Sequence, residues 1–203
     1  MAHGSTMTST PNDLRIVRRD VRFDLEGRDV RAWHPEGRHV AHFFNALSLL
    51  FPEGESFFID SVRHYRDRIL GGADGRFAAV WRWHAIEETE HKAVAYDVYR
   101  EVVGEDRPAY WRRVRVMLLI TVAFWIDVFR NTYRLVRADG AAADLPGWWR
   151  LFRFLWIKPG GMWRIWRLWL GYFRRDFHPW QHDNRRHVEE WKAAYEGTAA
   201  ALA

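Results

Sequence analysis

The run Trp-His-Ala-Ile-Glu-Glu-Thr-Glu-His, Trp83 to His91, holds the residues with the clearest capacity for chemistry. At about 100° per residue, a helix through it sets Glu87 at about −60°, Glu88 at about +40° and His91 at about −20° from His84. Four metal-capable side chains then share an arc of roughly 100°. The pair Glu88-x-x-His91 has the Glu-x-x-His spacing with which helical bundles hold two iron or manganese ions. Carboxylates suit such hard, redox-active ions, and imidazole tunes them. The plain alternative is a solvated polar helix face. Against it, the same arc continues into Ala95, Val98 and Val102, an apolar stripe expected to face a core.

A second carboxylate comes from an earlier segment. Pro52 can open a helix running to about Leu70. On its wheel Glu55 lines up with Phe58, Ile59, Val62, Arg66 and Ile69, whereas Glu53 points elsewhere. Gly71-Gly72-Ala73-Asp74-Gly75 ends that helix. The helix bearing His84 and Glu88 is expected from about Arg76 to Val103, stopping at Gly104. Glu55, Glu88 and His91 would be ligands, with His84 and Glu87 as further ligands or as partners that orient them. The zincin pattern His-Glu-x-x-His and its inverse are absent. No Ser-His-Asp grouping or phosphate-cradling glycine loop is recognisable, and no catalytic acid or base is assigned.

The remaining elements frame these helices. His39 to Leu50 reads as a helix with Phe43, Phe44, Leu47 and Leu50 inward. Arg15 to Trp33 alternates charged and apolar residues, as a short strand or an extended arm would. Arg107 to Arg137 is a long helix. Its uncharged centre, Val116 to Ile126, is too short for the ~20 residues of a membrane span, so a buried or interfacial helix is expected. Ala141 to Pro146 is a linker. Trp148 to Trp180 holds seven of the thirteen tryptophans, interleaved with arginines, and Pro159-Gly160-Gly161 divides it into two short helices. A last polar helix follows Asn184. His42 and His64 read as core or surface histidines, and His182 and His187 as solvated.

The 203 residues suit one domain, or one with an appendage. The absence of cysteine excludes disulfides, thiolate zinc sites and thiol catalysis. Met1 to Asp20 has no apolar segment and so is not a signal peptide. The net charge of +5 hides an asymmetry. Arg107 to Arg175 carries fourteen Lys/Arg against three Asp, hence +11, and leaves the rest at −6. Tryptophan and arginine together suit a membrane interface with anionic head groups. They also suit packing as a helical cap. Nucleic acid ranks lower, because no nucleic-acid fold signature accompanies them.

Three stretches together resemble the bacterial predicted metal-dependent hydrolase family. The first runs from Phe43-Phe44-Asn45-Ala46-Leu47 through Pro52-Glu53-Gly54-Glu55 to Ser61-Val62-Arg63. The second is Trp81-Arg82-Trp83-His84-Ala85-Ile86-Glu87-Glu88-Thr89-Glu90-His91-Lys92-Ala93. The third is Phe177-His178-Pro179-Trp180 with Asp183-Asn184. The resemblance covers about Arg15 to Trp191. It implies a ferritin-like helical bundle and a metal-dependent enzyme. It also implies, between the first stretch and the second, two further helices with another carboxylate–histidine motif and a further Glu. Here Arg68-Ile69-Leu70 passes almost directly to Gly71-Gly72 and Phe77. Glu55, Glu88 and His91 alone under-ligate two metal ions. A symmetric homodimer would restore four carboxylates and two histidines from four helices.

The expected fold is therefore all-α: a shortened ferritin-like bundle with a Trp/Arg-rich C-terminal helical region. A disordered leader spans 1–14, the metal-type bundle core 15–140, and basic aromatic helices packing on it 141–203. The expected function is a metal-dependent enzyme with a di-iron or di-manganese site acting on an apolar or lipid-like substrate. Iron would favour oxidase or oxygenase chemistry, and zinc would favour attack of water on an ester or amide. The competing expectation is a non-catalytic, membrane-associated helical protein that has lost part of its site. The expected place is the cytoplasm, at the inner face of the membrane through Trp148 to Arg175.

Overall fold

The structure, a computed structural model, describes residues 9–10, 25–49, 72–181, 185–186, 189–190 and 193. Among these the regular elements are all helical, with no strand. In chain order they are α1 (Arg38–Ser48), α2 (Gly75–His91), α3 (Val94–Val103), α4 (Arg107–Ala138), α5 (Leu145–Trp156) and α6 (Gly161–Gly171), followed by a 3-10 turn at Pro179–Gln181. The fold is an all-α bundle.

Local chemistry sets the helix starts. Asp74, Asp106 and Asp144 each stand immediately before a helix. Their carboxylates accept from Arg76 N, Ala109 N and Gly147 N at 3.0, 2.8 and 3.0 Å. Each bond satisfies one of the amides a helix start leaves open. Pro108 and Pro146 sit in the first turns of α4 and α5, where a missing N–H costs nothing. Helix α5 thus begins inside the expected linker. Gly104 ends α3 at φ 89, a left-handed conformation that an L side chain resists.

The core forms where α1 meets α4 and α5. Phe43, Phe44 and Leu47 of α1 are buried as expected, and Leu50 lies outside the described residues. Phe44 is the hub. Its ring lies 5.1 Å from Trp81 of α2, 5.6 Å from Trp33 and 6.0 Å from Phe154 of α5. Trp33 stacks on Phe77 at 5.0 Å, so the aromatic cluster ties the N-terminal half of α2 to α1. Helix α4 packs on α1, and its stripe Val128, Thr132 and Val136 is fully buried.

Three expectations fail. The helix expected from Arg76 to Val103 is two helices, broken at Lys92–Ala93. Past the break Ala95, Val98 and Val102 face solvent instead of a core. At the break Lys92 Nζ sits 3.9 Å over the Trp180 ring, and Ala93 is buried. The centre of α4 is not buried within the chain either. Leu119 is 70 % exposed and Val122 60 %, against the expectation of burial. No helix among the described residues is long and apolar enough to cross a membrane.

Candidate metal centre

The C-terminal half of α2 positions several metal-capable side chains within the described residues. His84 and Glu88 are both buried. One helical turn apart, they converge, with His84 Nδ1 3.6 Å from Glu88 Oε1. Trp81 and Trp83 flank the imidazole, with ring centroids 6.4 and 6.5 Å from it. Burial lowers the His84 pKa to about 4. At neutral pH the ring is therefore uncharged, the form in which imidazole ligates a metal.

His91 and Glu87 lie on the same helix but are only half-buried. Among the described residues no three metal-capable side chains come together closely enough to hold one ion. The structure thus brings His84 and Glu88 together and leaves Glu87 and His91 outside that pair. Glu55 lies outside the described residues, as do Arg66, His64, His182 and His187. The donor chemistry of the pair fits a divalent ion, but two donors do not complete a shell.

Glu90 and His39 escaped the sequence reading, which took His42 as a core or surface histidine. Glu90 is only 1 % exposed, although on the wheel it points about 160° away from Glu88. Helix α2 is therefore enclosed on more than one side. His39 and His42, three apart on α1, meet the loop after α4. His42 Nε2 lies 3.4 Å from Asp139 Oδ2, and His39 Nδ1 lies 3.8 Å from Asp144 Oδ2. Arg31 and Arg38 also reach Asp139, at 3.5 and 3.2 Å. The i, i+3 spacing of His39 and His42 beside Phe43 was the available signal; their acidic partners are about a hundred residues away.

His178 proves structural. Trp180 N donates to its Nδ1 at 3.2 Å, so the proton resides on Nε2, which faces Asp97 Oδ1 at 3.0 Å. Both ring nitrogens are engaged, Nδ1 as acceptor from Trp180 N and Nε2 toward Asp97. The bond fastens the C-terminal 3-10 turn to α3.

Among the described residues the elements are all helical, and one helix carries a buried imidazole–carboxylate pair one turn apart. A family model described as predicted metal-dependent hydrolase matches residues 17–71 and 67–183. The chain belongs to that family. No curated protein and no solved structure matches it.

Proposed function

We propose that this chain is a metal-dependent enzyme whose ion is held on α2, with His84 and Glu88 as the first two donors. The observation that carries the reading is their convergence at 3.6 Å in a buried setting where the imidazole is neutral. His91 and Glu87, on the same helix, and Glu55 are the further donors. A divalent ion there would supply Lewis acidity for the hydrolysis that the family description names. Iron or manganese would suit the carboxylate-rich donor set better than zinc and would open oxidase or oxygenase chemistry on an apolar or lipid-like substrate. The chain's own residues bind the ion, hold His84 in its neutral form and exclude water with Trp81 and Trp83.

The remaining donors come from a second copy of the chain. Two features support a homodimer built as a shortened ferritin-like bundle. The family model matches in two parts, residues 17–71 and 67–183, which overlap where the sequence passes from Arg68-Ile69-Leu70 straight into Gly71-Gly72. The exposed centre of α4 presents Leu119, Val122 and Ile126 as an apolar face for a partner helix.

The test is metal retention in Glu88→Gln and His84→Ala, with folding followed by circular dichroism. Both folded variants should lose at least ~10-fold in metal affinity, the usual cost of disturbing a ligand or its immediate support. Full retention in both would overturn the assignment.

A second reading has its own observation. Trp149, Trp163 and Trp166 are more than half exposed on the basic α5–α6 region. That arrangement favours a peripheral contact with the inner membrane face, with or without catalysis. Binding to anionic but not to neutral vesicles would support it.

A further inference from the structure

Away from the α2 donors, a cleft of about 250 Å³ opens between α3, the start of α4 and the segment after α6. Arg113 lies at its wall and is only 7 % exposed. A guanidinium stays charged at any working pH, and burying it is costly unless a counter-charge accompanies it. The partners of Arg113 are neutral. It donates from one terminal nitrogen to Tyr96 Oη at 3.0 Å and from the other to the Arg174 carbonyl at 2.8 Å. The rings of Tyr172, Tyr96, Tyr110 and Phe177 surround it at 4.9 to 5.9 Å. Such rings attract a cation but do not neutralise it. Burial raises the Tyr172 pKa to about 12 and that of Tyr96 above its ordinary value, so both remain uncharged phenols.

The nearby carboxylates are committed elsewhere. Asp176 pairs with Arg174 at 2.6 Å, Glu105 pairs with Arg100, and Asp97 faces His178 at 3.0 Å. No carboxylate among the described residues forms an ion pair with Arg113. At the rim the exposed Arg175 stacks over Tyr110 at 5.2 Å. The described lining therefore carries positive charge in excess of its acidic partners. Of the roughly five N–H groups of a guanidinium, the two bonds above use two.

The walls are aromatic and fixed. Tyr99 Oη donates to the Ala109 carbonyl at 2.7 Å, and Tyr110 Oη to the Phe173 carbonyl at 2.8 Å. Tyr96 Oη donates to the Phe177 carbonyl. With their hydroxyls tied to backbone, these residues offer the cleft ring surface and few further donors. A permanent buried cation beside rigid aromatic walls matches a small anion with a flat apolar body.

We propose that this cleft binds a small organic carboxylate with a flat, apolar body, its carboxylate against Arg113 and Arg175 and its body against Tyr96, Tyr99, Tyr110 and Phe177. The cleft shares no residue with the metal candidates, so its occupancy does not depend on the metal reading.

Ligand-observed NMR titration of the full chain with benzoate, benzamide and inorganic phosphate tests this. Benzoate should bind saturably, and more tightly than either of the others. Arg113→Lys keeps the charge but loses the planar fork, and should weaken benzoate by ~10-fold, the effect of removing a charge-assisted bond. Arg175→Gln, at an exposed position, should weaken it by a smaller factor and remain folded. Equal binding of benzamide would show that charge is not read and would overturn the proposal. So would phosphate binding without benzoate binding, or undiminished benzoate affinity in folded Arg175→Gln together with folded Arg113→Lys. Should Arg113→Lys fail to fold, undiminished affinity in Arg175→Gln alone overturns it.

Discussion

His39 and His84 are both buried, and burial lowers both pKa values below the ordinary 6.5. For His39 the Asp144 carboxylate pulls the other way, and Arg150 adds to the burial effect. A histidine whose folded pKa is depressed takes up its proton more readily when unfolded. Stability is then fully present above pH ~6.5 and is lost as pH falls through that value toward the folded pKa. Urea denaturation across pH 7 to 5 should show this decline, and His39→Gln should flatten it; equal slopes in both proteins would contradict the assignment. Gly147 owes its identity to the same histidine. A Cβ there would lie 2.2 Å from His39 Cε1 and Nδ1. Gly147→Ala should therefore lose about 1–3 kcal/mol in a denaturant melt, the range for overpacking. That His84 and Glu88 share one helix stripe was legible in the sequence because a four-residue spacing aligns side chains on any helix, although the expected pair was Glu88 with His91. Glu90 and Arg113 were not, because their burial depends on segments distant in sequence.

At the scale of elements, the sequence marks helix boundaries where local chemistry decides them. The helix start at Arg107, the stop at Gly104 and the division at Pro159-Gly160-Gly161 all stand as expected, and Asp106 with Pro108 supplies the chemistry that opens α4. Asp106→Ala removes the bond from Ala109 N and should lower stability by about 1 kcal/mol, read as a shifted thermal midpoint. An unchanged midpoint would mean that water replaces the cap. No glycine or proline announces the break at Lys92–Ala93, where Lys92 meets Trp180 from far along the chain. Its consequence is large, since the apolar positions Val98 and Val102 change from core to surface. The aromatic cleft was hidden for the same reason: α3, α4 and the segment after α6 each supply residues that look unremarkable alone.

For the molecule as a whole, the exposed apolar face of α4 is the feature that a single chain leaves open. Leu119, Val122 and Ile126 lie on one helix with no charge between them. Sedimentation velocity should find a dimer that Leu119→Glu with Val122→Glu converts to folded monomer; a monomer in the parent protein would remove the support for a shared site. The all-α class was legible from periodicity, and the family from three separated motifs. The completeness of the metal shell was not, because it depends on which residues the fold brings together.

The most direct measurement is elemental analysis of metal per chain, on protein purified without an affinity metal column. The account predicts about one iron, manganese or zinc ion per chain, as two helices from each protomer sharing a two-metal site would hold. Well-folded dimer with no bound metal would contradict it.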